Sequence, residues 1–398
     1  MRFIQRLTGY SIMQALSLLA SLLATVLVIR GVGITEYGDY AFYVAVGEGF
    51  KAIILLGYEQ SIGLYAEKRS RNLIEQHDVL IFNSKFLVFL LLLPFLLLIQ
   101  NGILQIGILL MMFSSVMDVS YLHMEHSELK RVSQTLFFTR LSYLVFVLIL
   151  LGAGVSFEYY VFAFGFTNII YSTVIANVNK KNFFPKIDLV DGARQLWIAI
   201  PMGANRIFLF NEGLFILYFF KNILASEVYG VFMFIFNIAR MLTAFLSVVI
   251  TPAFKNVTMQ VQTKEKVYKK LFFFGFLSTC ACLLSIKFLT PIALVKKIIG
   301  FSVDDKVLIV WLMYSCLYSF AIYISTIYLT IGIIAFGKVA RFYFTRIFYI
   351  FIVVLCSYFL VENNPVNGIF VLITAELISV VIPSIIISML ISRDKISK

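Results

Sequence analysis

Arg30-Gly31-Val32-Gly33-Ile34-Thr35-Glu36-Tyr37-Gly38 joins two long apolar stretches. Upstream, the chain is apolar from about Thr8 to Ile29. Downstream, a second run extends from residue 39 to about residue 64. A bilayer core takes roughly 20 apolar residues per helix. Each stretch is long enough to cross, and the glycine-bearing segment between them is short enough to be a turn at the membrane surface. The segment therefore reads as a helix, a tight turn and a returning helix, both helices in lipid.

The rest of the chain repeats this pattern. Of 398 residues, 61% are hydrophobic and 14% charged, and the mean hydropathy is +0.94. A soluble chain carries about 25% charged residues, so too little polar surface is present to coat a water-soluble globule. The same length rule predicts spans near residues 8–30, 39–64, 79–100, 103–123, 135–153, 157–178, 196–220, 228–254, 269–294, 307–331, 341–361 and 366–391. The expected fold class is an all-α integral membrane protein with about twelve transmembrane helices. No connection is long enough to hold a soluble domain. The first span follows a short basic start, as a signal peptide would, but no small-residue cleavage site closes it. It is expected to be retained.

The net charge of +12 points to topology rather than to nucleic acid, because cytoplasmic loops collect Lys and Arg. Basic residues cluster at 2–6, 68–71, 130–140, 180–194, 255–270, 338–346 and 393–398, with Arg140 and Arg346 counted among them. The alternate loops hold only Arg30, Lys221, Lys296, Lys297 and Lys306. The first set is expected to be cytoplasmic, with both termini on that side. Cys280, Cys282, Cys316 and Cys356 lie in apolar runs without metal-site spacing and read as small core residues. No metal site is expected, since His77, His123 and His126 have no convincing ligand spacing.

Lys221-Asn222-Ile223-Leu224-Ala225-Ser226-Glu227-Val228-Tyr229-Gly230 repeats the opening segment between spans seven and eight. Both contain a basic residue, a short turn, an acid, Tyr-Gly and a long helix. This divides the chain into two expected six-helix bundles, residues 1–190 and 191–398. An even helix number per half makes the repeats parallel, related by a pseudo-two-fold along the membrane normal.

Leu27-Val28-Ile29-Arg30-Gly31-Val32-Gly33-Ile34-Thr35-Glu36-Tyr37-Gly38-Asp39-Tyr40-Ala41-Phe42-Tyr43, then Leu55-Leu56-Gly57-Tyr58-Glu59-Gln60-Ser61-Ile62, resembles the polysaccharide-export and O-antigen flippases. Glu227-Val228-Tyr229-Gly230 is similar to the same family. These belong to the multidrug, oligosaccharidyl-lipid and polysaccharide exporter superfamily. The resemblance implies two bundles around a central cavity and, as substrate, an oligosaccharide on undecaprenyl pyrophosphate. It further implies a bacterial inner-membrane location, contact with membrane lipids, and polysaccharide polymerase and chain-length machinery as partners. It implies no cofactor and no nucleic acid. The chain lacks the two extra helices of lipid II flippases.

An ionisable residue at a helix centre costs about 2.5–3.5 kcal/mol on insertion scales and persists where it meets water or a partner. Span two carries Glu48, Lys51 and Glu59, with 48 and 59 within about 20° of each other on the helix. Span seven carries Asn205, Arg206, Asn211 and Glu212; span eight carries Asn237 and Arg240. Aligning Gly38 with Gly230 sets Arg240 opposite Glu48. Lys51, Arg206 and Arg240 are therefore expected to line a cationic substrate cavity between the halves, supported by Glu48, Glu59, Asn205, Glu212 and Asn237. The alternative is structural pairing, Lys51 with Glu48 and Arg206 with Glu212. Asp118 and Glu376 stand as isolated acids in spans four and twelve and are candidates for ion coupling; the alternative is a water-exposed end or a partner on another helix. Lys85, Arg140 and Lys287 lie nearer span ends, where snorkelling accounts for them.

Three functions compete at this level. The first is a lipid-linked oligosaccharide flippase. The second is a multidrug exporter of the same superfamily, for which acidic cavities are the rule. The third is a membrane polymerase or glycosyltransferase, which tends to carry a large outer loop that is absent here. No Walker-type Gly-Lys-Ser/Thr loop occurs, so ATP hydrolysis by this chain is not expected.

Overall fold

The computed structural model describes residues 2–56, 71–119, 129–178, 187–247, 264–288, 305–327, 339–360, 364 and 366–379, and their regular structure is helical throughout. The first helical run, Arg2–Leu55, is broken only at Gly33, so we label its arms α1 (2–32) and α2 (34–55). There follow α3 (Arg71–Leu92), α4 (Gly102–Met117), α5 (Leu129–Ala153), α6 (Phe157–Val178), α7 (Leu189–Ile223) and α8 (Ser226–Ser247). The last four are α9 (Lys264–Phe288), α10 (Asp305–Ile327), α11 (Val339–Leu360) and α12 (Val366–Ser379). Twelve helices therefore stand where twelve spans were expected.

Apolar length explains most of these elements. Six stretches among the described residues are long and apolar enough to cross a membrane, the first of them covering both arms around Gly33. Four shorter apolar helices accompany them. Leu97, Leu98, Trp197, Tyr358 and Phe359 all point outward with most of their surface exposed. In water such surface would drive association; against lipid it is the expected exterior. The chain is a multi-pass membrane protein.

The turn predicted over Arg30–Gly38 is shorter than expected. Helix continues through Val32 and resumes at Ile34, and the change of direction falls on Gly33 alone (φ 82°, ψ 168°). Only glycine takes that conformation without a steric penalty. Two other boundaries move. α3 tightens into a 3-10 turn over Leu93–Leu98, with Pro94, which lacks an N–H, near its start. α4 stops at Met117, and Asp118 follows in extended conformation (φ −69°, ψ 115°). Asp118 thus ends α4 and does not lie within it, a correction to the expected position inside the helix.

The described chain falls into two compact units, Met1–Phe215 and Ile216–Lys398. The division lies within α7, downstream of residue 190. The first part of α7 packs on the first unit: Ala199 joins Ile54, Ile81, Phe89, Ile108 and Met112 in one apolar core. Gly192 lies against the Asn83 backbone, and Gly49 against Leu214.

In the first unit α4 and α6 cross at Gly107 and Gly165. A Cβ on Gly165 would collide with the Gly107 carbonyl oxygen, so the pair sets how near the two backbones come. α4 begins on Asn101, whose Oδ1 accepts from the amides of Ile103 (2.9 Å) and Leu104 (3.2 Å). In the second unit α10 holds its neighbours by hydroxyl groups. Ser315 donates to the Ile235 carbonyl (3.3 Å), Thr243 of α8 to the Ser319 carbonyl (3.3 Å), and Tyr323 to the Leu271 carbonyl (3.0 Å). Each satisfies a hydroxyl buried in the apolar interior.

Candidate functional site

In the first unit polar side chains gather between α2, α5 and α6. Lys51 sits near the end of α2, with 16% of its side chain exposed. Its Nζ donates to Glu48 Oε1 (2.9 Å) and to Asn168 Oδ1 (2.9 Å). The pair with Glu48 was one of the two expected readings; the Asn168 contact comes from α6. Asn168 Nδ2 donates in turn to the Phe164 carbonyl (2.8 Å), which turns Oδ1 toward the ammonium. An ammonium has three N–H donors, and two are used.

One turn away, the Arg140 guanidinium of α5 lies over the Phe164 ring, 5.2 Å from its centroid. Tyr143 meets the same ring edge-on (5.2 Å, 84°), and its hydroxyl bonds to Tyr40 of α2 (2.5 Å). Arg140 acts electrostatically on both hydroxyls. Arg140 is eight residues inside the span Val132–Ala153 (140 − 132), about 12 Å at 1.5 Å per residue. That depth and these contacts replace the expected snorkelling. Lys85 departs from the same expectation. It is 1% exposed and donates to the carbonyls of Ser115 (3.2 Å) and Asp118 at the end of α4. Carbonyls there have no partner within their own helix and carry its negative pole. A cation from α3 caps them.

The second unit has a different arrangement. Arg346 of α11 and Glu376 of α12 form an ion pair with 7% and 5% of their side chains exposed. Nη1 reaches Oε2 at 3.1 Å and Oε1 at 3.3 Å, and Nη2 reaches Oε1 at 3.3 Å. Ser325 Oγ accepts a further bond from Nη1 (3.3 Å). The guanidinium also lies over the Tyr349 ring at 4.3 Å. Tyr349 hydrogen-bonds Tyr318, on which Glu376, Arg346 and Arg240 act electrostatically. Arg240 is exposed on α8 and stacks over Phe236 at 5.6 Å; Phe236 in turn contacts Tyr318 (5.8 Å). Glu376 is therefore not an isolated acid, and Arg346 is a core residue where loop charge was expected.

The other expected site residues are placed as follows. Glu212 is buried in α7, and Asn237 is half-buried one turn before Arg240. Asn205 and Arg206 lie in α7, with side chains outside the described ones. Glu59 lies outside the described residues, as do His123 and His126, for which no metal site was expected.

Sequence reading missed Arg140 and Arg346 as interior residues, although a signal for both exists. Phe138-Thr139-Arg140-Leu141-Ser142-Tyr143 recurs as Phe344-Thr345-Arg346-Ile347-Phe348-Tyr349, four identities in six positions. The motif lies on the fifth helix of each set of six. Thr139 and Thr345 are both buried, and each Tyr bonds a tyrosine of a neighbouring helix.

Six apolar stretches long enough to cross a membrane and four shorter apolar helices among the described residues, with polar clusters buried inside two units, define a polytopic membrane protein. No protein-family model and no curated protein matches the chain. Solved structures do. The lipid II flippase MurJ in an inward closed conformation is 10% identical with a TM-score of 0.64, covering 93% of this chain and 85% of that one. An outward-facing multidrug resistance MATE family transporter of the MOP superfamily is 14% identical with a TM-score of 0.61, covering 99% and 97%. The MATE multidrug transporter DinF-BH in complex with R6G is 11% identical with a TM-score of 0.58, covering 97% and 95%. The fold of this chain is the fold of these transporters.

Proposed function

We propose that the protein is a flippase. It moves an oligosaccharide on undecaprenyl pyrophosphate from the cytoplasmic to the outer leaflet by alternating access. The observation that carries this reading is Lys51. It is a largely buried cation near the end of α2, oriented by Asn168 and Glu48, with a donor unspent. A pyrophosphate head group crossing a bilayer needs such cations to replace its water. Arg240, exposed on α8, is the matching cation of the second unit, and Arg206 the third. The fold likeness to the lipid II flippase supports the lipid-linked class. The sugar chain would pass to polymerase and chain-length machinery, with both termini of this inner-membrane protein cytoplasmic.

A multidrug exporter is the second reading. It is favoured by the near-complete coverage of the MATE transporter and by the buried acids Glu212 and Glu376. Proteoliposomes separate the two. The wild-type protein is expected to expose a labelled undecaprenyl-pyrophosphate oligosaccharide to an enzyme outside. The Lys51→Gln, Arg240→Gln double variant should lose about tenfold or more of the rate, as removal of charge-assisted bonds predicts. An unchanged rate in a well-expressed double variant would remove these cations from the mechanism. Efflux of a cationic dye without lipid flipping would replace the first reading by the second.

A further inference from the structure

We propose that Arg140, with the Tyr40–Tyr143 hydroxyl pair and Lys51, forms an oxyanion subsite inside the first unit, built for a phosphate or pyrophosphate group.

The argument starts from the repeated motif. At its second copy, Arg346 is neutralised by Glu376 from the following helix. At its first copy the following helix has no such acid. Along Phe157–Val178 the only carboxylate is Glu158, in the first turn, where it accepts a bond from Asn101. Among the described residues Arg140 has its ring contact and its effect on the two tyrosines, and no ion pair. Arginine stays charged in any protein setting. A permanent cation at mid-span calls for an anion, and the fold supplies none on α6.

The donors around it point the same way. Tyr40 and Tyr143 are buried and bond to each other. That bond consumes one hydroxyl proton, so the pair keeps one O–H to give. Lys51 keeps one N–H after Glu48 and Asn168. Asn168 and Phe164, one turn apart on α6, carry Lys51 and Arg140 respectively. A planar guanidinium fork, an ammonium and a phenol thus share one helix face. Phosphate oxygens accept from several directions at once, and the fork matches two of them.

The subsite rests on the flippase reading for the identity of the carrier, while its anion chemistry rests on these side chains. Calorimetry on the full chain in nanodiscs of zwitterionic lipid tests it, with undecaprenyl pyrophosphate, inorganic pyrophosphate and uncharged undecaprenol as probes. Arg140→Gln should weaken undecaprenyl pyrophosphate about tenfold or more and leave undecaprenol unchanged. Arg140→Lys, which keeps charge and loses the fork, should fall between. An equal loss for inorganic pyrophosphate identifies a site open to free anion; binding of the lipid alone identifies a headgroup site. Undecaprenol binding as tightly as the pyrophosphate overturns the proposal. If Arg140→Gln does not fold, Arg140→Lys and Tyr143→Phe decide it, and wild-type affinity in both overturns it. Intact pyrophosphate binding without flipping counts against the flippase reading alone. Intact flipping with variant binding unchanged counts against the subsite alone.

Discussion

Arg140 and Arg346 occupy the same place in a repeated motif and have opposite surroundings. Arg346 is clamped by both oxygens of Glu376, bonded to Ser325 and stacked on Tyr349. Arg140 is half-buried over Phe164, beside a tyrosine pair. One motif thus yields a sealed ion pair in the second unit and an open cation in the first. The difference lies on the sixth helix of each set, where α12 carries Glu376 and α6 carries Asn168. Two copies of one motif can differ through one side chain on a neighbouring helix, because an interior charge is either neutralised or left available.

The largest effect is expected from breaking the sealed side. Glu376→Ala leaves a buried guanidinium without its carboxylate, which costs about 3–5 kcal/mol. Thermal unfolding of the purified protein in detergent should register this as a large fall in midpoint. Replacing Arg346 by Met in the same background should return most of the loss, since an apolar pair of similar volume needs no partner. If Glu376→Ala unfolds at the wild-type temperature, the pair is not the seal described.

The sealed pair also shows what sequence could and could not disclose. Helix number and order were legible because apolar length is a local property, and twelve runs became twelve helices. The Lys51–Glu48 pair was legible because residues three apart share a helix face. Asn168 was not, since it lies 117 positions from Lys51 and nothing local announces the meeting. Arg346 and Lys85 were misjudged for a related reason. A basic residue near a loop has the same letter whether it reaches water, pairs with an acid on the next helix, or caps a neighbour's carbonyls. Asp118 was misplaced because apolar composition continues past the point where α4 ends. What could have corrected Arg140 and Arg346 was the six-residue repeat, which is a long-range signal and not a periodicity.

A smaller effect is expected from giving the open side the acid it lacks. Asn168→Asp keeps shape and places a carboxylate beside Lys51, one turn from Phe164. Its Oδ1 would still accept from Lys51, while Oδ2 would face the Phe164 carbonyl that the amide now satisfies. Gain and loss nearly offset, so stability should change by less than about 1 kcal/mol. Affinity for undecaprenyl pyrophosphate should fall about tenfold, because the cations would be neutralised from within. Unchanged affinity would mean that charge balance on α6 does not govern the first unit.

The smallest effect compares the two motif tyrosines. Tyr143→Phe strands the buried Tyr40 hydroxyl, and Tyr349→Phe strands Tyr318, its partner in the second unit. Each removes one bond of the same kind, so each should cost about 1–3 kcal/mol, the range for leaving a buried polar group unmatched. Stability alone therefore cannot tell the units apart. Binding can. With the subsite confined to the first unit, Tyr143→Phe removes a donor from the anion and should weaken pyrophosphate by a few-fold. Tyr349→Phe removes one from a closed cluster that already contains its own carboxylate and should leave that affinity unchanged. Equal affinity losses in both variants would mean that both units engage the anion, and that the seal at Glu376 opens when it binds.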